Sequence, residues 1–361
     1  MTQVLKVTSP RSEEGNDPND SRKDRRYLKK IEEQVIEKEK EKKAKFPFVF
    51  SHEMSSTCET EYTIDGFIED KTTNLLYAPK DHLKSFVASD MAMSVASGKD
   101  WHGFTTQGGP CVYICGEGHS GMDRRFKAWA IKHQVDLEDI PIVRSKWPMQ
   151  VLDAGNVKEW AENIKRVVDH YGEKPKLIVI DTLATNFGPG SENNPSDMSQ
   201  FIAHIKIYLS SEFECAVLIV HHTGKNHDLG ARGGSSIEGD SDAVYYIKRD
   251  KEEDQLIELH CKHIKDAEKP PVIRLKAEVV ELGYQDKHGR EITSLVLSHY
   301  LTNQQIDVLE LSQQGYSQRS IATRISRDKK VVSREQKKLR EMGLLGVPIQ
   351  SPVGMAQGVP R

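Results

Sequence analysis

The chain has 361 residues, with 51 Lys and Arg against 54 Asp and Glu and a formal net charge of −3. That length suits one large domain with appendages, or two to three domains, and it buries a substantial core. The near-neutral balance excludes a uniformly basic nucleic-acid coat protein, although a local basic stretch can sit inside a neutral total. The five cysteines (Cys58, Cys111, Cys115, Cys215 and Cys261) include no CxxC pair, and an odd, scattered set fits a reducing compartment. Cys111 and Cys115 fall on one face of a strand, where small core hydrophobes belong. The N-terminus is polar, without a signal-peptide h-region. Apolar runs such as 177–180 and 216–220 are far short of the ~18 residues a membrane helix needs. A soluble, cytoplasmic protein that does not enter a membrane is therefore expected.

Residues 1–45 read as a disordered, charged arm. Positions 8–21 have almost nothing to bury. From 22 to 45 Lys and Arg outnumber Asp and Glu, and Tyr27, Leu28, Ile31, Val35 and Ile36 form a thin helical stripe. Such a stretch is either a solvated helix or a basic arm that touches nucleic acid or a neighbouring subunit.

Residues 46–300 have the texture of one α/β domain. Short apolar runs at 74–77, 111–115, 177–180, 216–220, 243–247 and 256–261 read as strands. Helical patterns at 85–96, 122–133, 157–170 and 198–211 separate the first four. This alternation predicts a mainly parallel sheet with helices on both faces. Ligands of such sheets bind at the carboxyl ends of the strands.

Four strand tails carry candidate chemistry. The first is Ala78-Pro79-Lys80-Asp81-His82-Leu83-Lys84-Ser85, with the position and terminal Lys-Ser of a phosphate-binding loop. Backbone amides and a helix N-terminus would hold the phosphates, Lys84 would reach the β- and γ-phosphates, and Ser85 would bind Mg²⁺. Both glycines of that motif are replaced, by Ala78 and Leu83, where glycine would allow close approach and positive φ. The second tail, Gly116-Glu117-Gly118, sets a carboxylate where it can meet a polarised water. The third, Asp181-Thr182, follows four apolar residues in the Walker B pattern, which sets a carboxylate beside Mg²⁺. The fourth is His221-His222-Thr223-Gly224-Lys225. Adjacent histidines on a strand face opposite ways, so a shared metal ion is disfavoured and one histidine is left to sense phosphate by hydrogen bonding. Together the four tails indicate a nucleoside-triphosphate hydrolase.

These segments resemble the RecA-like ATPase domain of hexameric replicative helicases of the plasmid RepA type, with DnaB helicases as more distant relatives. The resemblance spans 62–285. It is carried by 74–86, 113–125, 177–184 and 219–225, by Arg232-Gly233-Gly234-Ser235-Ser236, by Asp240-Ser241-Asp242-Ala243, and by 262–268 ahead of Pro270-Pro271. It implies a P-loop fold binding ATP and Mg²⁺. Glu117 is implied as the general base, Asp181 as the Walker B acid and His222 as the γ-phosphate sensor. Lys265 is implied as the finger supplied to a neighbouring subunit, with Lys262 as a nearby second candidate. Arg232 falls in a loop that meets DNA or the subunit interface. The family's phosphate loop usually keeps a glycine, and this departure leaves open an ATPase fold that binds without turnover.

Residues 301–345 have three short helical patterns, at 304–313, 318–325 and 329–342. They resemble a small all-α, winged helix-turn-helix domain. Lys330, Arg334 and Lys337 on the third helix would contact DNA phosphates; a protein-interaction bundle is the alternative. A loose tail is expected at 346–361. The combined expectation is an ATP-dependent DNA helicase or translocase, working as a homo-oligomer (a hexameric ring) on single-stranded DNA, with a replication initiator or primase as partner. A recombination, repair or helicase-loading ATPase without unwinding is one alternative. A DNA-binding regulator with an inactive ATPase fold is another.

Overall fold

A computed structural model of the chain describes residues 60–223, 231, 235–342 and 344–346, together with Phe48 and Ser51. The arm expected at 1–45, Cys58, Gly224, Lys225, Arg232 and the tail beyond Gly346 lie outside the described residues. The described residues from Thr60 on belong to one compact unit.

The strands fold where β-branched and aliphatic residues run together. After a short hairpin of β1 (Tyr62–Ile64) and β2 (Ile68–Glu69) come β3 (Thr73–Ala78), β4 (Cys111–Cys115), β5 (Ile142–Arg144), β6 (Leu177–Asp181), β7 (Ala216–His222) and β8 (Ala243–Arg249). These last six are parallel, in the order β5-β4-β6-β7-β3-β8. Strands β9 (Leu256–Ile264), β10 (Ile273–Gln285) and β11 (Glu291–His299) continue the sheet antiparallel beyond β8. The expected α/β, mainly parallel sheet is thus present. The β10–β11 hairpin was not anticipated, although Ile273, Leu275 and Ala277 alternate with Arg274, Lys276 and Glu278 at the strand period.

Helices cover both faces, which explains why the central strands are apolar throughout. Alternate residues of each strand go to opposite cores. Leu76 and Ala78 meet Val87, Ala88 and Met91 of α1 (Lys84–Ser97), with Phe126 and Trp129 of α2 (His119–His133) in the same core. Leu75 and Tyr77 share the other core with Val157, Ala161 and Ile164 of α3 (Ala154–Tyr171). A one-turn α4 (Leu183–Asn186) follows β6, and α5 (Pro195–Ile205) adds Met198, Phe201 and Ile202 to that second core. A short α6 (Ser235–Asp240) precedes β8. Cys111, Cys115 and Cys215 are buried free thiols, and Cys261 is a half-buried one.

The C-terminal helices are α7 (Asn303–Gln313), α8 (Gln318–Arg324) and α9 (Lys329–Glu341). Thr302, Ser317 and Asp328 cap their N-termini by accepting backbone N–H groups. Val308, Ile321, Val332 and Leu339 form a separate small core. The three expected helices are therefore present, and no wing strand follows α9 among the described residues. No helix of the described residues is long and apolar enough to cross a membrane.

Candidate functional site

The parallel order brings four chain-distant strand tails side by side. Ala78 pairs with His222 across β3 and β7, Cys115 with Asp181 across β4 and β6, and Asp181 with Val220 across β6 and β7. The loops that follow these residues share the carboxyl edge of the sheet, where α/β proteins bind ligands.

The phosphate-loop candidate, 78–85, leads directly into α1. Leu83, at the second glycine position, is left-handed with φ 57° and ψ 21° and is the residue from which the helix starts. Asp81 is also left-handed, with φ 63°. That conformation costs a non-glycine residue about 1–2 kcal/mol. Packing of the Leu83 side chain on the core below α1 offsets its share. Ala78 continues β3, so that position does not use a glycine's freedom. Lys80 and Asp81 are exposed, while Pro79 and His82 are half-buried. The His82 ring Nδ1 lies 2.9 Å from the Lys80 carbonyl. Neither α1 nor α2 has a side-chain cap or an acidic residue in its first turn. By contrast, Asp153 caps α3 and Asn194 caps α5. The two helices facing the site thus present open, partly positive N-termini.

Lys84 is only 5% exposed. Its ammonium donates to the Pro79 carbonyl at 2.6 Å, a neutral partner. Burial draws its pKa down to about 8 against the opposing pull of Asp181, Asp81 and Glu117. A buried ammonium in this setting suits an anionic ligand. Ser85 Oγ donates to Asp181 Oδ1 at 3.1 Å, and the Tyr113 hydroxyl donates to Asp181 Oδ2 at 2.6 Å. Burial raises the Asp181 carboxyl, while these two hydrogen bonds and the charge of Arg125 act the other way. Burial and Asp181 together hold Tyr113 protonated, as the donor of that bond. Tyr113 and Arg125 lie within 113–125, where local pattern alone assigns neither residue a role. The Arg125 guanidinium stacks 4.2 Å from the centre of the Phe86 ring, on the first turn of α1.

Gly116 follows β4 because nothing larger fits there: a Cβ would lie 1.9 Å from Thr185 Oγ1. Its N–H donates to the Asp181 carbonyl at 2.7 Å, locking the two tails together. Glu117 comes next and is exposed. Its charge acts on both Lys84 and Asp181, so it belongs to the same electrostatic group. Gly118, with φ 68°, begins α2. At the tail of β7, His221 is fully buried and His222 half-buried, on opposite sides of the strand. Thr223 N donates to the Ala78 carbonyl at 3.1 Å, which ties this tail to the start of the 78–85 segment.

Lys84, Ser85, Glu117, Asp181 and His222 therefore converge within one chain, and other candidates do not join them. Lys265 lies at the start of the parallel strands, where β9 runs back beside β8 and Ala243 pairs with both Asn74 and Ile264. Its ammonium pairs with Asp242 at 3.1 Å. Lys262 is nearer the loop, paired with Glu238 at 2.7 Å and set 5.8 Å from the Tyr77 ring centre. Lys330, Arg334 and Lys337 are exposed on α9. Among the described residues no group of three or more His, Cys, Asp or Glu could hold a metal ion. A cavity of about 470 Å³ flanks the loop, lined by Tyr77, Pro79, Thr223, Tyr246, Arg249 and Lys262 among others. A larger one, about 740 Å³, lies away from the strand tails, between β9, β10 and the C-terminal helices.

A family model described as an AAA domain matches residues 39–228, more than half of the chain. No curated protein matches the chain. Among solved structures, a RadB recombinase shares 11% identity over 57% of this chain and 87% of its own, with a TM-score of 0.41. A KaiC-like protein from the archaeon Pyrococcus horikoshii shares 15% over 65% and 93%, with a TM-score of 0.42. A DnaB-like replicative helicase, solved in a study of its interactions with primase, shares 14% over 67% and 66%, with a TM-score of 0.46. The last three likenesses are of outline only. The chain, with its phosphate-loop candidate and acidic strand tails abreast on one sheet edge, belongs to the AAA domain family.

Proposed function

We propose that this chain is an ATP-dependent DNA translocase or helicase of replication, of the plasmid RepA type, acting as a homo-oligomeric ring. The observation that carries the reading is the cluster of buried Lys84, Ser85 bonded to Asp181, and Glu117 on the adjoining tail. Phosphoryl transfer needs little more than positioning and charge stabilisation. The backbone N–H groups of 80–85 and the open end of α1 bind the phosphates, and Lys84 balances their charge. Ser85 Oγ and Asp181 Oδ1, 3.1 Å apart, are hard oxygen donors of the kind Mg²⁺ takes, and they would hold it. When bound, Mg²⁺ neutralises charge on the phosphate oxygens. Tyr113 orients Asp181, and Glu117 takes the proton of the attacking water. His222, bridging the tail of β7 to the loop, senses the γ-phosphate. Lys265 serves as a finger to the site of a neighbouring subunit. Exposed Lys330, Arg334 and Lys337 serve a helix-turn-helix contact with DNA, and Arg232 a second contact. An initiator or primase is the protein partner.

The test is ATP turnover with and without single-stranded DNA, together with unwinding of a forked duplex. Glu117→Gln is expected to lower turnover by about 10²–10⁴-fold while ATP stays bound, because it removes the base and leaves the phosphate contacts. Turnover without unwinding favours a recombination, repair or loading ATPase. Wild-type turnover in Glu117→Gln counts against the assigned base, and ATP binding without any turnover favours a DNA-binding regulator.

A further inference from the structure

A phosphate loop without glycine must be held in shape by something else. Asp81 and Leu83 both take positive φ, which side chains disfavour. Leu83 is anchored by its own packing on the core. Asp81 is exposed and has no such anchor. Its backbone carbonyl instead accepts a hydrogen bond from Arg249 Nη1 at 3.0 Å, across 168 positions of sequence. Arg249 is the last residue of β8, and its Nε donates to the Asp254 carbonyl at 2.5 Å in the turn to β9. The Asp254 carboxylate lies 3.7 Å from the same nitrogen. The rigid guanidinium fork thus ties the loop at Asp81 to a strand end fixed in the sheet. The bond is to a backbone oxygen, so it constrains the path of the chain and not one side chain. On the other flank, Lys84 holds the Pro79 carbonyl.

We propose that Arg249 is the positioning residue of the phosphate loop, keeping 79–83 in its phosphate-binding shape in place of the motif's glycines. The assignment rests on the nucleotide-binding reading above. It follows that the loop is ordered before ligand arrives and loses less freedom on binding. Leu83 and Asp81 then cost little in function, because the clamp and the core hold the strained residues.

The test uses the full chain and two readouts. In Arg249→Ala without nucleotide, amide hydrogen exchange at 80–83 is expected to rise about tenfold or more. ATP is expected to bind roughly tenfold more weakly, as for a lost charge-assisted hydrogen bond. Turnover at saturating ATP stays within about twofold, so the defect falls on KM. Adding Asp81→Gly to Arg249→Ala is expected to recover most of the affinity, since glycine reaches positive φ unaided. If Arg249→Ala does not fold, Arg249→Lys, which cannot bridge both carbonyls, is expected to shift exchange in the same direction. Unchanged exchange or unchanged affinity overturns the proposal. So does a loss that Asp81→Gly leaves unrecovered, which would mean that Arg249 touches the nucleotide itself. Failure of the wild-type chain to bind ATP overturns the nucleotide reading, while the exchange measurement still judges the clamp.

Discussion

Asp90 shows how a single residue braces the helix that follows the 78–85 segment. It is buried on α1, and its Oδ2 accepts from Trp101 Nε1 at 2.9 Å and His102 Nε2 at 2.7 Å. Its Oδ1 accepts from Trp129 Nε1 of α2 at 2.8 Å. His299, at the end of β11, donates from Nε2 to the His102 carbonyl at 2.7 Å and completes a brace across three elements. Burial, and then the neighbouring His102, lower the His299 pKa to about 4. The sign follows from the two states. Unfolded His299 takes up a proton near pH 6.5 and the folded residue only near 4, so the unfolded state binds more protons in that window. Stability is therefore complete above pH 6.5 and falls as the pH drops towards 4, by roughly 1–3 kcal/mol. Urea midpoints at pH 7, 5.5 and 4.5 check this. His299→Gln, which retains a donor and does not titrate, should flatten the slope, and identical slopes would rule out His299 as its source.

At the scale of elements, most of the sheet was legible because strand and helix periods are local signals. The four tails ending in Ala78, Cys115, Asp181 and His222 could be read one by one, each by its apolar run and the polar residue after it. The three C-terminal helices were equally legible from their spacing, and Glu335 adds a contact that spacing does not reveal. It is buried among them, accepting from Gln305 Nε2 on α7, from Lys338 and from Arg334, each at 3.2 Å, while Lys330 and Lys337 stay exposed on the basic face of α9. If that face binds DNA phosphates, replacing Lys330, Arg334 and Lys337 by Ala should reduce the slope of log affinity against log salt by about 2–3. DNA-independent ATP turnover should be unaffected. An unaltered slope in a salt titration points instead to a protein-interaction bundle. The short β5 escaped notice because three residues are too few to show a period.

For the whole molecule, the main question is how Lys265 could take part in catalysis. Within the chain it lies four strand residues, about 13 Å, from the end of β3 that opens into the loop. A role in hydrolysis consequently requires a second subunit. Turnover per chain should fall on dilution in step with the loss of assembled mass. Mixing Lys265→Ala chains with Lys84→Ala chains should restore part of the activity, because some mixed interfaces contain one intact site; full activity in a dilute monomer, or no recovery on mixing, argues against a shared site. The sequence by itself determined the strand and helix alternation, the strand tails that carry Lys84, Glu117, Asp181 and His222, and the missing glycines. Each of these is encoded within a few neighbouring residues. Only the tertiary structure decided that Tyr113 and Ser85 share Asp181 across 68 and 96 positions, and that Arg249 holds Asp81 across 168. Such pairs depend on the order of strands in the sheet, and that order leaves no mark in the local pattern of side chains.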